Sequence, residues 1–312
     1  MYYRDINNLN DIILKKIDII PRDIDLIVGI PRSGMLPANL IALYLNLQYV
    51  DIDSFINGTL YDTGYRIKNV PKEIKNILIV DDSIGSGKAM QKCREKLKRL
   101  KVNYNIKFCV IYASPEKKND VDYFFEVVPF PRYFQWNIFN HIDLAKTCFD
   151  IDGVLCPDPT SNQNDDGKEY LEFIKNTPPL YPPGRMIGSI VTSRLEKYRK
   201  ETEEWLSKNN IKYQELHMLN LPTKEARQKA NNHAGFKASI YKSSKYNLFI
   251  ESSLRQSLAI NKICKKPVFC TENFKMIYES ESVVFNIKRG KYMPFLRRIA
   301  LKLRDKINVS FK

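Results

Sequence analysis

Short apolar runs typical of buried strands alternate with helix-like patterns along the chain, and this alternation restricts the fold more than any other feature. The strand-like runs cover residues 25–30, 47–52, 76–82, 106–113, 186–193, 247–252 and 266–271. The helical patterns cover residues 36–46, 87–100 and 196–210. Such alternation indicates parallel βαβ units. We therefore predict an α/β protein with two doubly wound, mainly parallel-sheet domains.

The length of 312 residues suits two domains. An aromatic stretch at 127–141 marks the boundary between them, and a loop rich in Asp, Asn and Pro is predicted at 157–184. We expect a first domain over 1–145, a second over 146–290 with a small flap, and a basic tail over 291–312.

Composition restricts the environment and the partners. The net charge of +15 favours anionic partners, although surface lysines explain part of it. The polar start and the lack of a run of about 18 apolar residues argue against a signal peptide and a membrane span. The six cysteines have no metal-ligand spacing, and several lie in apolar runs, so we expect reduced core residues in a cytoplasmic protein.

The first motif is ILIVDDSIGSGKAM, residues 77–90. It places Asp81 and Asp82 at the end of a buried strand, before a glycine loop that opens a helix. Loop N–H groups and a helix N-terminus bind phosphate, whereas carboxylates repel it. A sugar phosphate satisfies both, because its hydroxyls donate to the acids while its phosphate lies in the loop. A Walker A loop is excluded, since Asp82 occupies the first glycine position and Ala89 the Ser/Thr position.

This motif resembles the 5-phosphoribosyl 1-diphosphate (PRPP) signature of type I phosphoribosyltransferases. VGIPRSGMLPA, residues 28–38, resembles the diphosphate loop of the same family, in which Arg32 would meet the leaving diphosphate. Residues 57–69 lie where the family has a closing loop, with Arg66 and Lys68 as candidates. The resemblance assigns PRPP binding to Asp81, Asp82, Ser83, Gly85, Ser86, Gly87, Lys88, Ala89, Pro31, Arg32, Ser33, Gly34 and Arg66. Ala89 departs from the usual Thr.

A second motif, FDIDGVL at 149–155, spaces two aspartates for a phospho-aspartyl mechanism. It resembles motif one of the haloacid dehalogenase (HAD) phosphatases, and SIVTSR, GFKASIY and LFIESS follow in the family's order. The resemblance implies that Asp150 is the nucleophile and Asp152 the acid and base. Thr192 would bind phosphoryl oxygens, and Lys237, with Lys242 as the alternative, would neutralise charge.

The same resemblance implies a magnesium site. Its ligands would be the Asp150 carboxylate, the Asp152 carbonyl and Glu251, and one Glu replaces the more usual pair of acids. Mg²⁺ is also expected to neutralise the diphosphate of PRPP in the first domain.

Together the motifs predict an enzyme that transfers 5-phosphoribosyl from PRPP to an acceptor and then removes the 5-phosphate. The fusion resembles enzymes that build β-ribofuranosyl residues into bacterial polysaccharides, so the leading hypothesis is a glycan acceptor, lipid-linked. One alternative is a nucleobase phosphoribosyltransferase fused to a nucleotidase. Two further alternatives are a PRPP-sensing regulator that binds nucleic acid and a phosphatase acting on nucleic-acid ends. We do not expect nucleic acid as a partner.

The tail carries a basic amphipathic pattern at 293–307. Such a helix can lie on an anionic membrane, which predicts peripheral contact at the inner membrane face, or it can pack on its own domain.

Overall fold

The computed structural model describes residues 1–61, 64, 73–100, 103–230 and 232–278. The chain divides into two compact units, Met1–Ile138 and Phe139–Lys312. The predicted Arg66, Lys68 and the basic tail over 291–312 lie outside the described residues. In the described part of the chain, no helix is both long and apolar enough to span a bilayer.

The first unit is built on a parallel sheet with helices on both faces. Its strands are β1 (Tyr2–Arg4), β2 (Leu26–Gly29), β3 (Gln48–Asp51), β4 (Asn76–Ile84), β5 (Asn105–Ala113), β6 (Tyr123–Val127) and β7 (Arg132–Phe134). Its helices are α1 (Ile6–Lys16), α2 (Met35–Leu45), α3 (Ile52–Ile56) and α4 (Lys88–Leu97). Five strands form one sheet in the order β3-β2-β4-β5-β6, all parallel, and β1 pairs with β7 separately.

Both faces of this sheet are buried, which explains the continuous apolar runs. On β4, Leu78 and Val80 face a core that α1 and α2 complete, whereas Ile77 and Ile79 face a core that α3 and α4 complete. Successive side chains of a strand point to opposite faces, so an unbroken apolar run requires cover on both sides. This arrangement leaves the C-terminal ends of the strands free for a ligand site.

The second unit has the same class of architecture. Its strands are β8 (Thr147–Phe149), β9 (Ile187–Leu195), β10 (Tyr213–Leu219), β11 (Leu248–Glu251), β12 (Val268–Cys270) and β13 (Lys275–Ile277). Its helices are α5 (Lys168–Asn176), α6 (Arg199–Lys208), α7 (Lys224–Ala230), α8 (His233–Ser243) and α9 (Leu254–Cys264). The sheet order is β10-β9-β8-β11-β12-β13, parallel except between β12 and β13.

The predicted fold class, α/β with mainly parallel sheets, is confirmed. The predicted burial of the cysteines is also confirmed, since all six are buried free thiols.

The predicted loop over 157–184 is wrong in its middle, because α5 lies there. Asp165 accepts from the Gly167 and Tyr170 N–H groups and fixes the start of α5, and Phe173 and Ile174 are buried on its inner face.

Candidate active sites

The acid pair of the first unit is buried. Asp81 and Asp82 are 6% and 4% exposed, and the Asp82 N–H donates to Asp81 Oδ1 at 2.8 Å. Burial and the adjacent Asp82 carboxylate raise the pKa of Asp81 well above its usual range. Two buried carboxylates side by side are stabilised by a ligand that brings hydrogen-bond donors.

The glycine loop is shorter than predicted. The prediction placed a loop from Ser83 to Ala89, but Ser83 pairs opposite Tyr112 and extends β4 to Ile84. Lys88 and Ala89 belong to α4. The strand continues because β5 offers a pairing partner, which the glycine-rich sequence does not reveal. Residues 85–87 therefore make the turn between strand and helix.

This turn has the features of an anion site. Gly87 adopts a φ of +78° and has no side chain to cap α4, and the Lys88 N–H makes only a long hydrogen bond of 3.5 Å to Ser86 Oγ. The first N–H groups of the helix are therefore open to a ligand, and the helix dipole favours a negative charge there. Ser86 and Lys88 are exposed beside it, and Gly85 is partly buried.

The second loop packs directly onto the acid pair. Residues 31–34 follow β2, the peptide bond between Pro31 and Arg32 is cis, and Ser33 is partly exposed. Gly34 is buried, and a Cβ on it would lie 2.8 Å from Asp81 Oδ1. The structure thus brings the two predicted PRPP motifs together.

An aromatic segment lies against the same acids. The Trp136 indole N–H donates to Asp82 Oδ2 at 2.6 Å, and its ring stacks on Phe134 at 5.1 Å. Next to it, Asn137 Oδ1 accepts from Arg32 Nη2 at 3.2 Å. One short segment therefore contacts both motifs.

A buried arginine lies behind the glycine turn. Arg132 is 5% exposed and donates to the carbonyls of Ile84 (2.6 Å) and Val128 (3.2 Å). A Cβ on Gly85 would lie 3.2 Å from Arg132 Nη2. A positive charge is thus held against the turn that would bind phosphate.

In the second unit a buried lysine joins two acids. Lys237 Nζ lies 2.6 Å from Asp150 Oδ2 and 2.7 Å from Glu251 Oε2. Burial raises the pKa of Asp150 above its usual range, and Lys237 opposes this shift. Burial disfavours the Lys237 ammonium, but the Asp150 and Glu251 carboxylates outweigh it and raise the Lys237 pKa. Lys242 is exposed, so Lys237 is the lysine that reaches the acids.

The other aspartate of the motif has a different partner. Arg194 is completely buried, and its Nη2 and Nε lie 2.6 Å and 3.1 Å from Asp152 Oδ1. The Arg194 N–H also donates to Thr192 Oγ1 at 3.2 Å, which places Thr192 at the same end of β9. The structure thus groups five predicted residues at the C-terminal ends of the strands: Asp150, Asp152, Thr192, Lys237 and Glu251.

The predicted magnesium ligands are oxygen atoms of the kind this ion prefers. The Asp152 carbonyl accepts from Ser252 Oγ at 3.2 Å, and Glu251 Oε1 accepts from the Ser252 and Ser253 N–H groups. Within the described residues no group of three or more His, Cys, Asp or Glu side chains is arranged to hold a metal. The chemistry of the donors fits Mg²⁺, and its binding here stays a prediction.

The protein-family model described as the phosphoribosyl transferase domain matches residues 3–141 of the chain. The N-terminal part of the chain is similar to the phosphoribosyl transferase domain over these residues. The acid pair, the glycine turn and the loop at 31–34 all lie within this domain.

Curated relatives match the same part of the chain. The chain is 32% identical to a xanthine-guanine phosphoribosyltransferase of Chromohalobacter salexigens over 106 residues, 33% of this chain and 62% of that protein. It is 29% identical to the enzyme of the same name from Idiomarina loihiensis over 103 residues, 31% of this chain and 60% of that protein. The chain thus spans less than two thirds of the length of either relative. The solved purine phosphoribosyltransferase of Pyrococcus horikoshii is 22% identical, with 44% of this chain and 94% of that chain covered and a TM-score of 0.32.

Sequence reasoning missed Arg132 in the phosphoribosyl transferase domain and Arg194 in the second unit. Arg132 lies in the aromatic stretch at 127–141 that marks the predicted boundary, and Arg194 directly follows Thr192 and Ser193 of the second HAD-like motif. A charged residue inside an otherwise apolar, strand-like run was the available signal, because such a charge is buried only with partners.

Proposed function

We propose that the phosphoribosyl transferase domain transfers 5-phosphoribosyl from PRPP to a nucleobase. The observation that carries this proposal is the packing of Gly34 on Asp81, which joins both PRPP motifs in one site. The relatives are named xanthine-guanine phosphoribosyltransferases, and this supports a nucleobase acceptor over a glycan. Trp136, beside Asp82, offers an aromatic face for a base.

Each part of the site has a task in this reaction. Asp81 and Asp82 accept from the ribose hydroxyls, the turn at 85–87 holds the 5-phosphate, and Arg32 meets the diphosphate. The C1–O bond to diphosphate breaks through an oxocarbenium-like state as the acceptor bonds to C1, so catalysis is mainly positioning and electrostatic stabilisation. Mg²⁺ bound with PRPP would neutralise the leaving diphosphate.

We further propose that the second unit is a HAD-type phosphomonoesterase. Asp150 attacks phosphorus while Asp152 donates a proton to the departing alcohol, and water then hydrolyses the aspartyl phosphate. Lys237 and Thr192 stabilise the phosphoryl oxygens, and Arg194 fixes the Asp152 carboxylate. Asp150, Glu251 and the Asp152 carbonyl would hold Mg²⁺, which would polarise the phosphoryl group.

A glycan acceptor remains the second candidate because one observation favours it. The phosphatase-like cluster lies in the same chain as the transferase domain, and removal of the 5-phosphate would destroy a nucleotide just made. A ribofuranose in a glycan, in contrast, requires this removal.

Product masses test both candidates. The full chain is incubated with PRPP, Mg²⁺ and either a nucleobase panel that includes xanthine and guanine or a panel of glycan acceptors. The wild type is compared with Asp150→Asn. A base that gains ribose in the wild type and ribose phosphate in the variant supports the nucleobase proposal. Product only with a glycan establishes the second candidate, and PRPP binding without any product overturns both.

A further inference from the structure

A cavity of about 430 Å³ adjoins the carboxylate–lysine cluster of the second unit. We call it the Tyr181 cavity, and Gly153, Asp158, Tyr181, Ser252, Gln256 and Glu272 are among the residues that line it. Two of these residues also contact the cluster. Gln256 Oε1 accepts from Lys237 Nζ at 3.2 Å, and Ser252 Oγ donates to the Asp152 carbonyl at 3.2 Å. The cavity therefore adjoins two groups of the cluster, the Lys237 ammonium and the Asp152 carbonyl.

The lining combines carboxylates with one aromatic face. Tyr181 stacks on Phe139 at 4.7 Å, and Glu272 Oε2 accepts from the Leu254 N–H at the start of α9. The other polar lining groups are hydroxyls and an amide, and none of the described residues that line the cavity is a lysine or arginine. Such a lining accepts hydrogen bonds from hydroxyls and repels anions.

Asp158 is the lining carboxylate beside the residue that follows Asp152. A Cβ on Gly153, the residue after Asp152, would lie 2.8 Å from Asp158 Oδ2. Loss of hydration and the Asp152 and Glu251 carboxylates raise the Asp158 pKa above its usual value. No hydrogen bond or ion pair from the described residues reaches this carboxylate. It is therefore available to a ligand.

We propose that the Tyr181 cavity is the leaving-group subsite of the second unit, and that it accepts an uncharged, hydroxyl-bearing sugar but rejects a leaving group that carries further phosphates. This inference rests on the proposed phosphomonoesterase activity. Its consequence concerns the donor of the first reaction. PRPP is itself a 5-phosphate ester, but it carries a diphosphate at C1, whereas the transfer product carries an uncharged acceptor there. The acidic lining would spare PRPP and admit the product.

The test compares two esters in the full chain. Asp81→Asn is introduced to keep the first domain from consuming PRPP, and loss of the 5-phosphate from PRPP and from methyl β-ribofuranoside 5-phosphate is followed by ³¹P NMR. We expect kcat/KM to be at least about 10-fold lower for PRPP than for the riboside phosphate. Asp158→Asn should raise the ratio of the two kcat/KM values, PRPP over riboside phosphate, about fivefold. The matched control is Glu204→Gln, which removes an exposed carboxylate of α6 and should change neither rate.

Equal rates for the two esters, or a ratio that Asp158→Asn does not change, would overturn the subsite. A different result identifies failure of the underlying proposal. If neither ester is hydrolysed faster than by Asp150→Asn, the second unit is not a phosphomonoesterase of such esters, and the subsite falls with it.

Discussion

The two units differ in whether the carboxylates of their sites form ion pairs. In the second unit three acids of the cluster have a cation: Lys237 lies between Asp150 and Glu251, and Arg194 holds Asp152. In the first unit, over residues 1–61, 64, 73–100 and 103–138, no ion pair reaches Asp81 or Asp82. The N–H groups that donate to them are the Asp82 backbone N–H and the Trp136 indole. Carboxylates that are ion-paired with lysine or arginine suit a site for an anionic phosphoryl group. Carboxylates without an ion pair suit a ligand that brings its own hydrogen-bond donors.

The largest expected effect separates the two units. Asp150→Asn should lower phosphate release from a phosphomonoester by about 10⁴-fold or more, because the variant lacks the nucleophile. PRPP-dependent diphosphate release should stay within about twofold, since this step belongs to the other unit. Parallel assays of phosphate and diphosphate measure both. Equal loss of both activities would contradict two independent sites.

The reciprocal change tests the open acids of the first unit. Asp81→Asn combined with Asp82→Asn should weaken PRPP binding by about 100-fold or more, because two charge-assisted hydrogen bonds, each about 1.5–3 kcal/mol, are lost. Calorimetric titration with PRPP and Mg²⁺ measures the Kd. Phosphomonoester hydrolysis by the same variant serves as the control and should be unchanged. Unaltered PRPP affinity would remove the acids from the site.

A smaller effect should appear at the cation of the first unit. Arg132→Met removes the charge behind the glycine turn and should weaken ribose 5-phosphate binding about 10-fold, with pyrophosphate affinity unchanged. Arg132→Lys should recover part of the loss. Calorimetry with the two ligands measures the difference, and thermal denaturation shows whether each variant is folded.

The matched control for Arg132 is Arg94→Met. Arg94 is exposed on α4, packs over the Phe108 ring and donates to the Asp120 carbonyl. This variant should bind both ligands like the wild type. Equal loss of ribose 5-phosphate and pyrophosphate affinity in Arg132→Met would instead indicate a general structural role.

The smallest effect concerns Trp136. Its indole occupies Asp82 Oδ2, so a ribose hydroxyl must displace it. Trp136→Phe keeps an aromatic ring beside Phe134 but removes this hydrogen bond, and PRPP should bind about threefold more tightly. PRPP should also change the tryptophan fluorescence of the wild type but not of the variant, because the remaining Trp205 lies in the other unit. Weaker binding would show that the indole supports the bound ligand.

The sequence predicted what depends on local pattern. The run before Asp81 is apolar at every position, and the structure shows why: both faces of β4 are buried. The sequence did not reveal that pairing with β5 extends β4 to Ile84, because pairing between strands depends on the tertiary structure. For the same reason Arg132 and Trp136, which lie far along the chain from the acids, were not associated with them.

In the second unit the weak local signals were the ones missed. The strand β10 buries only Met218, so its apolar pattern is weak. The helix α5 was hidden by the Asp- and Pro-rich flanks, although Tyr170, Phe173 and Ile174 have helical spacing. The order of the motifs was sufficient to predict Asp150, Thr192 and Glu251 as neighbours, whereas the choice of Lys237 over Lys242 required the structure. The contact of Arg194 with Asp152 required the folded chain.

The close packing of Gly34 on Asp81 has a consequence for how such a chain can vary. A methyl group at residue 34 would lie 2.6 Å from the Ile30 carbonyl and 2.8 Å from the Asp81 carboxylate, so neither neighbour could keep its place. The two signatures, which are separate in the sequence, therefore share one steric constraint. A substitution in the loop at 31–34 would require a compensating substitution on β4, so we expect the two segments to change together.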